Sequence, residues 1–522
     1  MVAVPILRGF AGYWIAMKTG KRIFNTDRRI RLGIWGLGRG MSFYEVCAAL
    51  NFDVVAGCDF NEHMRRGFAR ANPKALVTAD EREFLAADFD AVLLATYCPA
   101  HGGHALKCLS AGKHVLSEVT SFFTPAQGVR LVEAVERSGL VYNLAENYPF
   151  MRANLWLADQ WRRGLFGELE YAEYEYVHEC LMLSYTYIDG VPVQPGWTAH
   201  NWRSWINYHY YNTHSLGPVM HITGLRPKRV VALPAGVKLS GYLPKSAMDC
   251  TGTIAPSLIT MSNGAVMRNL MGATTNDSHR QRLWGTKGSA EIGEEGLSLR
   301  LGGSGGSPKL AVEPVWPDFG EMAETMGHGG GDFWVLYHFA RHILFGKPAF
   351  FNVHAAADCT LPGILAYRSA MQGGKAFDVP DFRQKRDRDA FRRDEGGQKP
   401  YDLTKVFPAN ADRRLTAEFT AIMKDLYLDV PLCRGVADWI AMADVVKNPA
   451  QVVRVVDDFL ARQPGMRERF AKARRLARAY PKSDGARVIG EMLKLADAGK
   501  AMAPSFLRRI RQARAALRRK RG

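Results

Sequence analysis

The sequence predicts a doubly wound α/β domain, then a larger and mostly antiparallel α+β sheet domain, then an appended helical extension. Three observations carry this. Short aliphatic and β-branched runs alternate with helix-like stretches from Arg29 to about residue 150. Strand-like segments joined by hairpin signals follow, and beyond Arg413 the apolar spacing becomes helical.

In chain order, the runs RIRLGIWG, FDVVAGCDF, FDAVLLAT, HVLSE and LVYNLAEN are separated by about 15–30 residues of helix-like sequence, the signature of βαβ units. Such strands are apolar throughout because helices cover both faces of a parallel sheet, and right-handed crossovers give the doubly wound form. From Met151 the texture changes to ELEYAEYEYVHE, KRVVALPAGV, SLITMSNGAVMRNL and GSAEIGEEGLSLRL, with Asn263-Gly264 as a tight hairpin turn. GGSGGSP, Gly302 to Pro308, is too flexible for an element and reads as an exposed loop. Helix returns near Asp332, and the unit closes at VPDF, 379–382. The charged stretch 383–413 has few apolar anchors and reads as a linker or a strap over the surface. Asn448-Pro449 is a cap followed by a first-turn proline, leading QVVRVVDDFLARQ into a helix. The expected divisions are therefore 1–28 (extension), 29–150, 151–382, 383–413, 414–500 (helical module) and 501–522 (basic tail).

A length of 522 residues suits two or three domains at roughly 100–200 residues each. With 47% hydrophobic and 23% charged residues, the composition excludes a mainly disordered chain. Val2–Met17 is interrupted by Arg8 and falls short of the ~18 uninterrupted apolar residues of a membrane span; its charges also follow the apolar part, the reverse of a secretory signal. The eight cysteines (47, 58, 98, 108, 180, 250, 359, 433) form no CxxC, so neither a zinc site nor a disulfide framework is indicated, and a reducing cytoplasm is the expected setting. Nearly half of the net charge of +18 sits at the end, where eight Lys or Arg and no acid lie between Arg508 and Arg521, and the rest of the chain is only mildly basic. Phe506, Leu507, Ile510, Ala513 and Leu517 recur there at helical spacing. The tail reads either as a basic amphipathic helix lying on an anionic membrane face or as a solvated end. No nucleic-acid motif accompanies the charge, so nucleic acid is not expected.

The sharpest motif is the strand RIRLGIWG entering Gly36-Leu37-Gly38-Arg39-Gly40. Glycines permit the tight turn and let backbone N–H groups approach a pyrophosphate at a helix N-terminus. Met41 occupies the usual third glycine position, with Gly40 one place early. Asp59 ends the second strand about 20 residues on, where a carboxylate accepts ribose hydroxyls and repels a 2′-phosphate, so the cofactor read is NAD.

Thr96-Tyr97-Cys98-Pro99-Ala100-His101, Ala111-Gly112-Lys113-His114-Val115 and Ser117-Glu118-Val119-Thr120 resemble the glucose–fructose oxidoreductase, inositol dehydrogenase and MocA (Gfo/Idh/MocA) superfamily, whose members read TPxxxH then AGKHVxxEKP. The resemblance spans 29 to about 382 and implies a Rossmann domain and an open-faced sheet domain with the site between them. Val119 replaces the lysine of EKP, and of DxGxHxxD only His214 survives, which argues against an ordinary lysine-and-histidine dehydrogenation. Glu146-Asn147-Tyr148, Gly164 to Glu168, Tyr176-Val177-His178, Trp202-Arg203, Tyr211 to Pro218 and Gly327 to Asp332 resemble, in order, the ENY, LFGE, YxHD, WR, YPTHGLGP and GHGGMD of the NAD-dependent α-N-acetylgalactosaminidase branch. Glu179, Asn212 and Ser215 depart from that pattern.

That resemblance implies a tightly held, recycled NAD that oxidises a sugar at C3, acidifying C2 so that the aglycone leaves by elimination before hydration and reduction. By the same resemblance His214, Tyr211 and Tyr176 are the catalytic candidates, which takes which proton being left open. His178, Trp202, Arg203, His328 and Asp332 line the substrate; Gly36, Gly38, Arg39, Gly40, Asp59, Thr96, His101, Glu118, Glu146 and Asn147 serve the cofactor. No metal is expected. Trp197, Trp202, Trp205, Tyr208, Tyr210 and Tyr211 read either as flat faces for sugar rings or as core, and His101 alternatively as an ordinary helix-start residue. The expected partner is a small-molecule or glycan substrate, with homo-oligomerisation left open. Two rival functions remain at this point: a net sugar dehydrogenase, and an NAD-binding pseudoenzyme working through its C-terminal helices.

Overall fold

A computed structural model describes residues 23–179, 202–241, 252–274, 276–401 and 413–519. The expectations concerning Val2–Met17, Cys180, Trp197 and Cys250 lie outside these residues.

The first sheet is parallel: β1 (Ile30–Trp35), β2 (Phe52–Cys58), β3 (Leu76–Thr78), β4 (Ala91–Leu94), β5 (His114–Ser117) and β6 (Tyr142–Leu144), in spatial order β3-β2-β1-β4-β5-β6. This is the dinucleotide-binding order, with the strand reversal between β1 and β4 opening a crevice at their C-terminal ends. β4 is buried along its whole length, as a sheet covered on both faces requires. Strand β3 escaped the sequence reading because three residues are too short for a pattern.

The second sheet is mixed: β7 (Leu169–Val177), β8 (Pro227–Ala232), β9 (Ile254–Met261), β10 (Val266–Gly272), β11 (Gln281–Gly285), β12 (Gly288–Gly293), β13 (Gly296–Leu301), β14 (Leu310–Val312) and β15 (Phe377–Asp378). Their order is β14-β13-β12-β11-β7-β10-β9-β8-β15, and of the pairings described only β7 with β10 is parallel. Asn263-Gly264 turns β9 into β10, with Gly264 at φ +92°. The helices Thr213–Thr223 and Val353–Met371 pack on this sheet, and Val353–Met371 also reaches β6 of the first.

Residues 383–401 form a strap with a short helix, Lys385–Phe391, laced to the helix Pro125–Ser138 by Arg392–Glu133, Arg388–Glu136 and Arg130–Glu395 ion pairs at 2.6–3.0 Å. Beyond it, helices Arg413–Ala441, Pro449–Ala479, Asp484–Leu495 and Pro504–Arg519 pack on one another. The amphipathic tail helix buries Phe506, Ile510 and Leu517 within this module. That apolar stripe is used internally, so only the arginine-rich outer face is left for an anionic surface. No helix among the described residues is long and apolar enough to cross a membrane.

Candidate active site

The glycine turn closes β1. Gly36 has φ +96°, and a Cβ there would lie 2.2 Å from the Ala95 carbonyl oxygen, so only glycine fits. A Cβ on Gly40 would lie 2.4 Å from Ile34 Cγ2, so Gly40 provides the close helix-to-strand packing expected of the displaced third glycine. A Cβ on Gly38 would meet nothing within 4 Å, which leaves room along the turn for a ligand. Asp59 braces the turn: Oδ2 accepts from Leu37 N–H and Oδ1 from Asn61 N–H, both at 2.8 Å. Burial raises its carboxyl above the usual range despite these donors.

Around the turn lies an ionic cluster. Arg39 donates to both oxygens of Asp332 (2.7 and 2.8 Å) and to Glu118 at 2.7 Å. Asn147 Nδ2 donates to Asp332 Oδ1 at 2.9 Å, and His328 Nδ1 lies 3.1 Å from Oδ2. Asp332 is fully buried in the first turn of helix Gly331–Phe345. Burial alone would raise its carboxyl, but Arg39 outweighs burial and holds it well below the usual range. Asp332, read as lining the substrate, has its oxygens bonded to Arg39, Asn147 and His328, and the charge of Arg39, read as serving the cofactor, is matched by two carboxylates. Among the described residues, no group of three or more His, Cys, Asp or Glu side chains is arranged to hold a metal ion.

Thr96 and His101 are likewise committed to the scaffold. Thr96 Oγ1 meets His104 Nδ1 at 2.8 Å, while the fully buried His101 ring spans the carbonyl oxygens of Thr96 (3.1 Å) and Thr120 (3.2 Å). Burial lowers the His101 pKa, and a neutral ring donates to only one of them. Val119 is buried and apolar, so no ammonium group stands at that position.

Where the two sheets meet, an imidazole is held by a carboxylate. His214, in the first turn of helix Thr213–Thr223, places Nδ1 2.8 and 3.1 Å from the two oxygens of Glu146. Glu146 is 0% and His214 6% exposed. Glu146 was expected at the cofactor; its Oε1 instead accepts from Tyr148 N–H (3.2 Å) and its carboxylate sits behind the imidazole. A Cβ on Gly217, one helical turn along, would lie 2.9 Å from Glu146 Cγ, so the glycine admits this approach.

Aromatic rings close around His214. Tyr148 stacks on it with centroids 4.5 Å apart, and Tyr176 and Tyr211 each lie at 4.7 Å, Tyr211 edge-on. Arg203 Nη2 donates to the Tyr211 hydroxyl at 3.3 Å, its guanidinium lying over Trp202 and Tyr211. His178 Nδ1 lies 2.9 Å from Asp277 Oδ1, and His279 faces Tyr148, Tyr176 and His178. The structure thus brings Tyr176, His178, Trp202, Arg203, Tyr211 and His214 together. Trp205, Tyr208 and Tyr210 are core: Trp205 Nε1 donates to Tyr97 Oη at 2.8 Å, and Tyr210 stacks on Phe123 at 4.4 Å. Asp277 and His279 had no spacing signal in the sequence.

A doubly wound dinucleotide-type domain joined to an open-faced sheet, with an imidazole–carboxylate pair at the junction, is an arrangement whose fold has solved counterparts among sugar and inositol dehydrogenases. An inositol dehydrogenase homologue from Azotobacter vinelandii, solved with NADH and myo-inositol, matches with a TM-score of 0.55 at 20% identity, covering 67% of this chain and 98% of that one. Residues 312–388 match the model of the glycosyl hydrolase 109 C-terminal domain. A glycosyl hydrolase family 109 protein of Akkermansia muciniphila is 28% identical over 68% of this chain and 83% of its own length; an alpha-N-acetylgalactosaminidase of Tannerella forsythia is 26% identical over 70% and 89%. In sequence the chain is thus similar to glycosyl hydrolase 109 proteins, and in fold to an NAD-binding oxidoreductase.

Proposed function

We propose that this chain is an NAD-dependent, carbohydrate-active enzyme of oxidoreductase type that cleaves a glycoside through transient oxidation of a sugar hydroxyl. The observation that carries it is the buried Glu146–His214 pair inside a ring of tyrosines, next in sequence to Asn147, which bonds the Asp332 that Arg39 of the glycine turn holds.

The residues present fit the cofactor. Room beside Gly38, the turn forced by Gly36, and Asp59 at the end of β2 suit the diphosphate and ribose. Asn147 Oδ1 is buried without a partner among the described residues, an acceptor for a carboxamide. When bound, NAD supplies a hydride acceptor that can return the hydride.

The chain supplies the proton transfers. With the Nδ1 proton of His214 held by Glu146, Nε2 is the basic nitrogen and takes the proton of the substrate hydroxyl. Tyr176 and Tyr211 flank the same space, placing a phenol oxygen for the proton on the neighbouring carbon, and Arg203 sets a cation against the Tyr211 oxygen. Burial of His214, Tyr176 and Tyr211 limits water at these groups. The buried Val119 disfavours lysine-assisted net dehydrogenation. The substrate class named for the Tannerella relative, an α-N-acetylgalactosaminide, is the first to test. Turnover in D₂O should leave deuterium at C2 of the released sugar, read by mass spectrometry. Cleavage with no deuterium at C2 would overturn the elimination route.

A further inference from the structure

The C-terminal extension reaches the candidate site. Tyr427, in helix Arg413–Ala441, donates its hydroxyl proton to Glu179 Oε2 at 2.8 Å. The Glu179 backbone N–H donates to Asp277 Oδ1, the oxygen that also lies 2.9 Å from His178 Nδ1. His178 sits edge-on to Tyr176 at 5.9 Å between centroids, and Tyr176 lies against His214. A continuous line of contacts, hydrogen bonds as far as His178 and ring contacts beyond it, therefore runs from the extension to the rings around the imidazole.

We infer that the extension is a working part of the site, with Tyr427 a positioning residue that fixes His178 through Glu179 and Asp277. Three observations converge on it. Glu179 stands where the resembling YxHD motif has aspartate, and the extra methylene gives its carboxylate the reach to Tyr427. The Azotobacter structure is matched over 98% of its length by only 67% of this chain, so a third of this chain has no counterpart in it. The module is also tied down elsewhere on the body, by Lys238–Glu491 at 3.7 Å and Tyr401–Asp484, so Tyr427 is presented from an anchored unit. Asp277 is suited to the relay: burial opposes its ionisation, but His178 and the Glu179 N–H hold its carboxyl below the usual range. An ionised Asp277 accepts a hydrogen bond from His178 Nδ1–H and leaves Nε2 as the nitrogen turned to a ligand.

The inference rests on the sugar-active reading for its kinetic part only. In the full-length enzyme, Tyr427→Phe and, independently, Glu179→Asp should lower kcat/KM roughly 10-fold, the lower end for losing a hydrogen bond to a charged group. Both should speed amide exchange in residues 176–179 and 277–279 by about the same factor. In a His178→Ala background Tyr427→Phe should cost less than about 2-fold, because the residue it positions is gone. Unchanged exchange in both variants, or kinetic losses that multiply in the double mutant, would overturn the inference. Faster exchange in a protein with no glycoside cleavage would support the coupling and defeat the proposed function alone.

Discussion

Glu146→Gln is the substitution that separates a working imidazole–carboxylate pair from a merely buried one. The carboxylate lies 2.8 Å from His214 Nδ1, with both side chains almost entirely out of water. When Nε2 takes a proton, the imidazolium formed is stabilised by the full negative charge behind it; glutamine keeps the shape and removes the charge. A hydrogen bond to a charged group is worth about 1.5–3 kcal/mol, so kcat should fall about 10- to 150-fold. KM should change little, because the charge matters only once the proton has moved. The assay is steady-state release of an aryl aglycone across pH, with bound nucleotide extracted and quantified in parallel. A glutamine variant retaining its nucleotide and turning over within threefold of the parent would refute the assignment of His214 as base.

Asp332→Asn strands Arg39 with Glu118 as its remaining partner. Breaking a buried ion pair costs about 3–5 kcal/mol, and since a quarter of Arg39 is exposed we expect about 2 kcal/mol in urea unfolding. Because the Asp332 carboxyl is depressed in the fold, its contribution is present above the ordinary aspartate pKa and fades as pH falls below it; an acid limb identical in parent and variant would contradict this. Gly217→Ala should displace Glu146 through the 2.9 Å approach, lowering kcat at least as far as Glu146→Gln, and a crystal structure with His214–Glu146 unmoved would refute it. Burial pushes His209 and His221 down to about 3, and His104 and His338 to about 4. These rings stay neutral in the fold and gain protons on unfolding below the ordinary histidine pKa, so stability falls with pH by about 1.4 kcal/mol per unit for each below about 6.5. The melting temperature should drop steeply between about pH 6.5 and 4.5, and His209→Gln should flatten the slope; a level profile would contradict the assignment.

What was legible in the sequence was local. The strand RIRLGIWG, its glycine turn and Asp59 announce themselves because strand, turn and acid follow within one βα unit. The partnerships that make the site are not local. Glu146 meets His214 across 68 residues and Arg39 meets Asp332 across 293, and no periodicity encodes either pairing. Hence the sequence could place Glu146 and Asp332 near the site but could not name His214 and Arg39 as their partners. The aromatic crowd shows a second limit. Trp205 and Tyr210 look like Trp202 and Tyr211 in composition, yet Gln398 of the strap bonds the Trp205 carbonyl and the Tyr210 hydroxyl and pins that pair into the core. A charged stretch gave no hint that one buried glutamine would sort the rings.

The most direct measurement follows nucleotide and aglycone together in one cuvette. The purified chain should carry NAD, and an aryl α-N-acetylgalactosaminide should release its aglycone over many turnovers while the absorbance of reduced nicotinamide stays level. Reduced nicotinamide rising in step with substrate without cleavage, or a chain that never takes up the dinucleotide, would contradict the account.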